Sequence, residues 1–371
     1  MPNPDLFEKL FLQLSCSHMD NEVGAEEQAL ADIDWAALSV LAQRHGVAGF
    51  LYRNTKDQDI LPEQILLELQ AAYRHTTFHN LDQVAASIKI LRLISANDIQ
   101  AIPLKGVIAS EVIFQDLGVY PFGDIDILVH PADLAAVKKI LIASGYSSVE
   151  GIQEEDLLTN HYHLMFHDGR HLLEVHWNLA KRYFEVPPDF WWQDVRTIRW
   201  RDMDVVELAP EKYILYTIFR LYDHCFYPLR FFVLIAGIID TYSNEICWET
   251  LLADAKKFNM RRLVLFTLKL LHDVLGTPIP DRILQDKIMG EGLLKKMILS
   301  GIFKGVEREH LRMFLYSSLL DGPVTIVKVL LGRLFPSKGE LCLRYNLVHG
   351  SSTVWLYYFI NPVMLFFKKN K

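Results

Sequence analysis

The sequence is short of cysteine, of positive charge and of long apolar runs, and each shortage removes a class of protein. Four cysteines in 371 residues, Cys16, Cys225, Cys247 and Cys342, stand far apart and never form a C-x-x-C pair. Such spacing signals neither a zinc ribbon nor a disulfide framework. Reduced thiols and a cytoplasmic location are expected. Against 45 Asp and Glu there are 38 Lys and Arg, a net charge of -7. No global positive field therefore favours non-specific nucleic-acid binding. The opening MPNPDLFEKL lacks a basic segment leading into an apolar core, so no signal peptide is expected. No uninterrupted apolar stretch reaches the roughly 18 residues of a spanning helix. The nearest, 353–367, is broken by Asn361-Pro362 and followed by Lys368, Lys369 and Lys371. A terminal helix packed on its own domain is expected there, with contact at a membrane surface as the alternative. Internal repeats and low-complexity tracts are absent too.

What is present is ample core material, 51% hydrophobic, and one dense stretch of chemistry. Asp124-Ile125-Asp126 opens the apolar run Ile127-Leu128-Val129. A strand puts residues two apart on one face, so both carboxylates point one way while Ile125 and Ile127 point into the core. Two carboxylates about 4 Å apart repel by about 4 kcal/mol at an effective dielectric near 20. A shared proton or a cation answers that repulsion, and hard oxygen ligands suit Mg²⁺. Upstream, 102–104 reads as a short strand, Lys105-Gly106 as a turn and 107–114 as a helix. Glycine at such a turn lets backbone N–H groups approach a phosphate, and a helix N-terminus favours anions. A loop over 116–123 leads into the acidic strand.

The second informative piece is HYHLMFHDGRHLLEVHWNL, 161–179. Asp168-Gly169 between alternating runs predicts a two-residue hairpin turn. With that turn His167 faces Arg170, Met165 faces Leu172, His163 faces Glu174 and His161 faces His176, all on one face. A face with three histidines and a glutamate needs something polar over it. Glu174 is therefore read as a third carboxylate, against a plain His163–Glu174 surface pair. A zinc site from His161, His163 and His176 is the competing chemistry. His75 and His79, four apart on a predicted helix, are expected in surface or capping roles. That long helix has His79-Asn80 as its candidate division, and Asp32 or Asp34 is the candidate cap of the helix beginning at Trp35. The chain thus divides into a helical region over 1–97, a small mixed sheet with helices over 98–207, and a helical region over 208–371, an α+β class.

Strand, glycine turn, helix, loop and DxD strand together resemble the polymerase-beta-like nucleotidyltransferase superfamily. Within it the chain looks like one poorly characterised bacterial nucleotidyltransferase family. The likeness runs from about Asp34 to about Gly276. It includes WAALSVLAQRHGVAGFLYR, LKG at 104–106, GDIDILV at 123–129, SGY at 144–146, HLMF at 163–166 and EVHW at 174–177. The resemblance implies that Asp124, Asp126 and Glu174 hold Mg²⁺, with Mn²⁺ as a substitute. It places Lys105 and Gly106 beside the triphosphate of an NTP donor, with Gly123 and Tyr120 among the nucleotide-binding positions and His163 and His176 accessory. An acceptor hydroxyl or phosphate would attack the α-phosphorus and expel pyrophosphate. The acceptor, whether a small molecule, a peptide or a protein, is not named by any residue. Two positions depart from the pattern: the usual Gly-Ser or Gly-Gly reads Gly106-Val107, and Tyr120 stands where an arginine is common. A nucleotide-binding or regulatory module without catalysis, and a zinc hydrolase on the histidine face, are the alternatives.

Overall fold

Five strands, β1 (Ala101–Pro103), β2 (Asp124–Val129), β3 (Ser147–Ser148), β4 (His163–His167) and β5 (Leu172–His176), form a mixed sheet in the order β1-β2-β5-β4-β3. This is a computed structural model that describes residues 4–16, 30, 33–149, 162–181, 184–305, 316–345, 347 and 353–367. β2 runs parallel to β5, and the other neighbours are antiparallel. A separate hairpin, β6 (Arg196–Trp200) and β7 (Met203–Glu207), follows.

Period two divides the main sheet cleanly. Ile125, Ile127, Val129, Leu173, Val175, Leu164 and Phe166 share one face and are buried. They pack with Leu134, Val137 and Leu141 of helix α6 (Leu134–Ala143). The long helix α4 (Glu63–Ser95) adds Val84, Ile90, Leu91 and Ile94 to the same core. Each such side chain contributes about 1.5–3 kcal/mol by leaving water. On the opposite face Leu128 joins a larger core. That core unites α1 (Pro4–Leu14), α2 (Trp35–His45) and α3 (Ala48–Thr55) with α7 (Pro210–Asp223), α8 (Arg230–Thr241) and α10 (Arg261–Leu275). The carboxylates of β2 lie on this second face, between the sheet and the helices that follow it.

Among the described residues the remaining α-helices are α5 (Lys105–Ile108), α9 (Trp248–Lys257), α11 (Asp281–Leu284), α12 (Glu291–Lys304), α13 (Pro323–Leu334), α14 (Lys338–Tyr345) and α15 (Val354–Phe367). α2 is capped by Asp34, whose Oδ1 accepts from Ala37 N at 2.9 Å. It ends at Gly46 with φ +67°, a conformation that costs glycine little. Pro210 begins α7, where its missing N–H is harmless. α4 runs unbroken through His79 and Asn80. The expected helix over 107–114 is instead α5, four residues long, followed by a wider π-type turn over Ala109–Ile113. On α15 Trp355, Leu356 and Phe359 are exposed. No described helix is long and apolar enough to cross a membrane.

One expectation of register is corrected. The β4–β5 pairs are His163↔His176, Met165↔Glu174 and His167↔Leu172, so the loop holds four residues, 168–171, rather than two. Asp168 Oδ1 accepts from the N–H groups of Arg170 and His171, at 2.9 and 2.7 Å. His171 also reaches across to α4, its Nε2 2.9 Å from Asp82 Oδ2. Holding His171 in the loop costs the two-residue turn its last pair. The slip of two keeps every side chain on its predicted face, but it sets His163 opposite His176 instead of Glu174. His161 lies outside the described residues.

His45, fully buried at the end of α2, joins distant parts of the chain. Its Nδ1 accepts from Leu229 N at 2.9 Å, and its Nε2 donates to Ile302 O at 2.8 Å. Burial lowers its pKa from 6.5 to about 4. The unfolded imidazole therefore binds a proton near pH 6.5 that the folded one refuses until about pH 4. Its share of stability is whole above 6.5 and shrinks as pH falls toward 4, by about 3 kcal/mol at most. Denaturant unfolding between pH 7 and pH 4.5 checks this. The native protein should lose more stability over that interval than His45→Gln, and equal losses would contradict the assignment.

Candidate active site

Two strands and one turn bring the acidic residues together. β2 and β5 pair in parallel with Asp126 directly beside Glu174, and Asp124 lies two residues back on the same face. One oxygen from each of the three carboxylates lies within 4.8 Å of the others. Asp126 is 3% exposed, and Asp124 and Glu174 are half-buried.

Basic groups converge on the same oxygens. Lys105 Nζ lies 2.5 Å from Asp126 Oδ1. His176 Nε2 lies 2.9 Å from that oxygen and 3.3 Å from Glu174 Oε2. His163 Nε2 stands 4.0 Å from Glu174 Oε1, and the two imidazole rings are 5.0 Å apart. Lys105 takes φ +40°, a left-handed conformation that costs an L side chain of order 1–3 kcal/mol. Leu104 N donates to Asp126 O at 2.9 Å. That bond fixes the backbone just ahead of Lys105 and aims its ammonium at the β2 carboxylate.

The electrostatics differ from one carboxylate to the next. Burial and the charge of Asp126 push the Asp124 carboxyl up, with Lys105 opposing. Burial also acts to raise Asp126, but Lys105 and His176 prevail and hold it well below the usual range. For Glu174 burial is again the largest influence and acts upward, but the His176 bond and the charges of His163 and His176 together outweigh it, so the net shift is down. The three carboxylates thus fit a hard divalent cation in donor type, spacing and charge. A second group, His163, Glu174 and His176, has ligand atoms equally close and shares Glu174 with the first.

Other predicted positions lie behind this cluster. Gly106 is buried, and a Cβ there would meet Phe122 Cγ at 2.1 Å. Packing against Phe122 thus requires its small size. Tyr120 is 3% exposed and stacks on Phe114 at 5.7 Å. Burial raises its hydroxyl to about 12. Tyr120 thus packs as a core residue beside Phe114. Gly123 faces open space in a 240 Å³ cleft with His75, His79 and Arg230.

Sequence reading missed the clamp that positions β2. Along α4, Asn80 Nδ2 donates to Leu117 O and Tyr120 O, both at 2.8 Å. Gln83 Nε2 donates to Gly123 O at 3.1 Å, and His79 Nε2 lies 2.8 Å from Phe122 O. Tyr73 OH donates to Asp116 Oδ1 at 2.8 Å. The only signal was polar residues spaced three, four and seven apart on one helix, which also describes a solvated face. Arg220 was missed as well. It reaches Tyr162 OH at 3.4 Å and His224 Nε2 at 3.2 Å. Burial raises the Tyr162 hydroxyl, and the charges of Arg220 and Lys105 oppose it.

No curated protein and no solved structure matches the chain. A family model described as "uncharacterised nucleotidyltransferase" matches residues 31–276. That span holds the carboxylates, both strands that carry them, Lys105, the α4 clamp and Arg220, and it is well over half of the 371 residues. The chain therefore belongs to this uncharacterised nucleotidyltransferase family.

Proposed function

We propose that the protein is a Mg²⁺-dependent nucleotidyltransferase of the polymerase-beta-like type, moving a nucleoside monophosphate from an NTP to an acceptor. One observation carries the reading: Asp126 and Glu174 are neighbours on parallel strands, with Asp124 on the same face. A Mg²⁺ or Mn²⁺ ion held by Asp124, Asp126 and Glu174 would neutralise triphosphate charge and acidify the attacking oxygen. In the transfer, the acceptor oxygen bonds to the α-phosphorus as its bond to the β-phosphate oxygen breaks. Pyrophosphate leaves with that electron pair, and the acceptor's proton passes to solvent.

The chain's own residues supply position and charge. His176 bridges Asp126 and Glu174 through one nitrogen, so the two carboxylates are oriented together. Lys105 and Arg220 place positive charge beside the carboxylates, where a triphosphate needs it. The α4 clamp holds the loop before Asp124, and with it the strand that carries both aspartates.

Thermal unfolding with each NTP, with Mg²⁺ or with a chelator, tests the donor. A nucleotide at a hundredfold excess over its Kd should stabilise by about 2.7 kcal/mol, and only with the metal present. Pyrophosphate should appear under the same conditions. No response to any nucleotide would remove the proposal. A second reading is a nucleotide-binding module without catalysis, favoured by the Lys105–Asp126 pair, which already occupies one carboxylate oxygen. It predicts the stabilisation without pyrophosphate. Among the described residues the zinc reading draws on His163, Glu174 and His176, and it requires stoichiometric zinc in the purified protein.

A further inference from the structure

Past the family-matched residues, helices α13, α14 and α15 close a cavity of 780 Å³ against the histidine edge of the site. Its inner wall is Tyr162, His163, Lys181 and Glu185. His163 stands between the cavity and the carboxylates, 4.0 Å from Glu174 Oε1. The Tyr162 ring packs on His163 and His176, at 5.0 and 6.0 Å. A molecule in the cavity is thus one side chain away from Glu174.

The outer wall lies wholly beyond residue 276, where the family match ends. It is held in place by Asn361 of α15, which is fully buried. The Nδ2 of Asn361 donates to Arg333 O and Leu334 O, at 3.2 and 2.8 Å. Its Oδ1 accepts from Arg344 and Tyr345, at 2.8 and 2.9 Å. One amide therefore ties three helices into a rigid lid. Sites built on such fixed elements discriminate between ligands.

The lining carries excess positive charge: Lys181, Lys328, Arg333 and Arg344 against Glu185 and Glu340. Lys181 and Arg333 share one carboxylate oxygen, Asp223 Oδ1, at 3.5 and 3.7 Å. Lys328 pairs with Glu185 at 2.6 Å, but both are exposed to water, where such pairs are worth little and exchange readily. Phe335, Leu331 and Tyr358 supply apolar and ring surface. The volume suits a small organic molecule. Its charge is opposite to that of the carboxylate site next door, so the two places select different partners.

We propose that this cavity is the acceptor subsite. It takes a small molecule with a phosphate or carboxylate group and an apolar or ring body. Lys181 and Lys328 hold the anion, and the reacting oxygen is turned toward Glu174. The name acceptor rests on the nucleotidyl-transfer reading, whereas anion binding in the cavity stands without it.

Calorimetric titration of the full chain tests this with three probes: phenyl phosphate, benzoate and neutral benzyl alcohol. At least one anion should bind at millimolar concentration, with benzyl alcohol about tenfold weaker or worse, the scale of a charged hydrogen bond. Lys181→Gln/Lys328→Gln should weaken the anion about tenfold, while Lys105→Met leaves it unchanged. If the double variant loses fold stability, exposed Lys328→Gln alone should show a smaller loss in the same direction. Binding of neither anion, equal binding of benzyl alcohol, or native affinity in the lysine variants would overturn the proposal. Phenyl phosphate or benzoate bound normally, with no nucleotide response, would instead overturn the transfer reading and spare the anion site.

Discussion

Asp126→Asn should lower NTP-dependent pyrophosphate release by about a thousandfold or more, the scale of losing a buried electrostatic group at a reacting centre. Asparagine keeps the shape of the side chain and one oxygen. It removes the negative charge that Lys105 and His176 both address and one of three cation ligands. The effect on folding should be much smaller, because two terms oppose. Lys105 loses its closest partner, which destabilises, while Asp124 and Glu174 lose a repelling neighbour, which stabilises. Cooperative unfolding by circular dichroism should therefore persist. Glu174→Gln should behave alike. His176→Asn, which orients carboxylates without contributing one, should cost about 10–100-fold. Native rates of pyrophosphate release in Asp126→Asn would end the proposed function.

Gly106→Ala should destabilise the fold by about 3 kcal/mol, the upper range for forcing extra volume into a packed core. The added Cβ would meet Phe122 at Cγ, Cδ2 and Cβ, at 2.1, 2.3 and 2.5 Å. Those atoms are the root of the ring and cannot swing aside as a chain tip could. Phe122 is itself buried and precedes Gly123-Asp124, so its displacement moves the start of β2. Activity should fall along with stability. Combining Gly106→Ala with Phe122→Ala should cost less than the two changes separately, the mark of a shared contact. Strictly additive costs, or a raised KM for nucleotide with unchanged unfolding, would point back to a role in phosphate approach.

Much of the site was legible because it obeys period two. Alternation in GDIDILV and in HLMF…EVHW placed Asp124, Asp126, Glu174, His163 and His176 on faces that survive a register slip of two. The slip itself was not legible. It depends on His171 meeting Asp82 of α4, 89 residues away, and no local turn preference contains that contact. The packing of Tyr120 was hidden for a related reason. A tyrosine in place of an arginine looks like lost charge, and only the stacked Phe114 shows it to be core. Gly106 looked like a turn residue until Phe122 came to lie on it.

Local sequence by itself determined which side chains share a strand face, that a helix begins at Trp35, and that acidic groups meet apolar core at β2. These follow from backbone geometry and from the cost of burying polar atoms, both readable within a few residues. Tertiary structure decided that β2 and β5 lie parallel, so that Glu174 sits beside Asp126, and that α13, α14 and α15 fold back to wall a cavity at His163. Such meetings depend on closing long loops around a common core, and that free energy is a property of the whole chain, spread too thinly for any one segment to carry its signature.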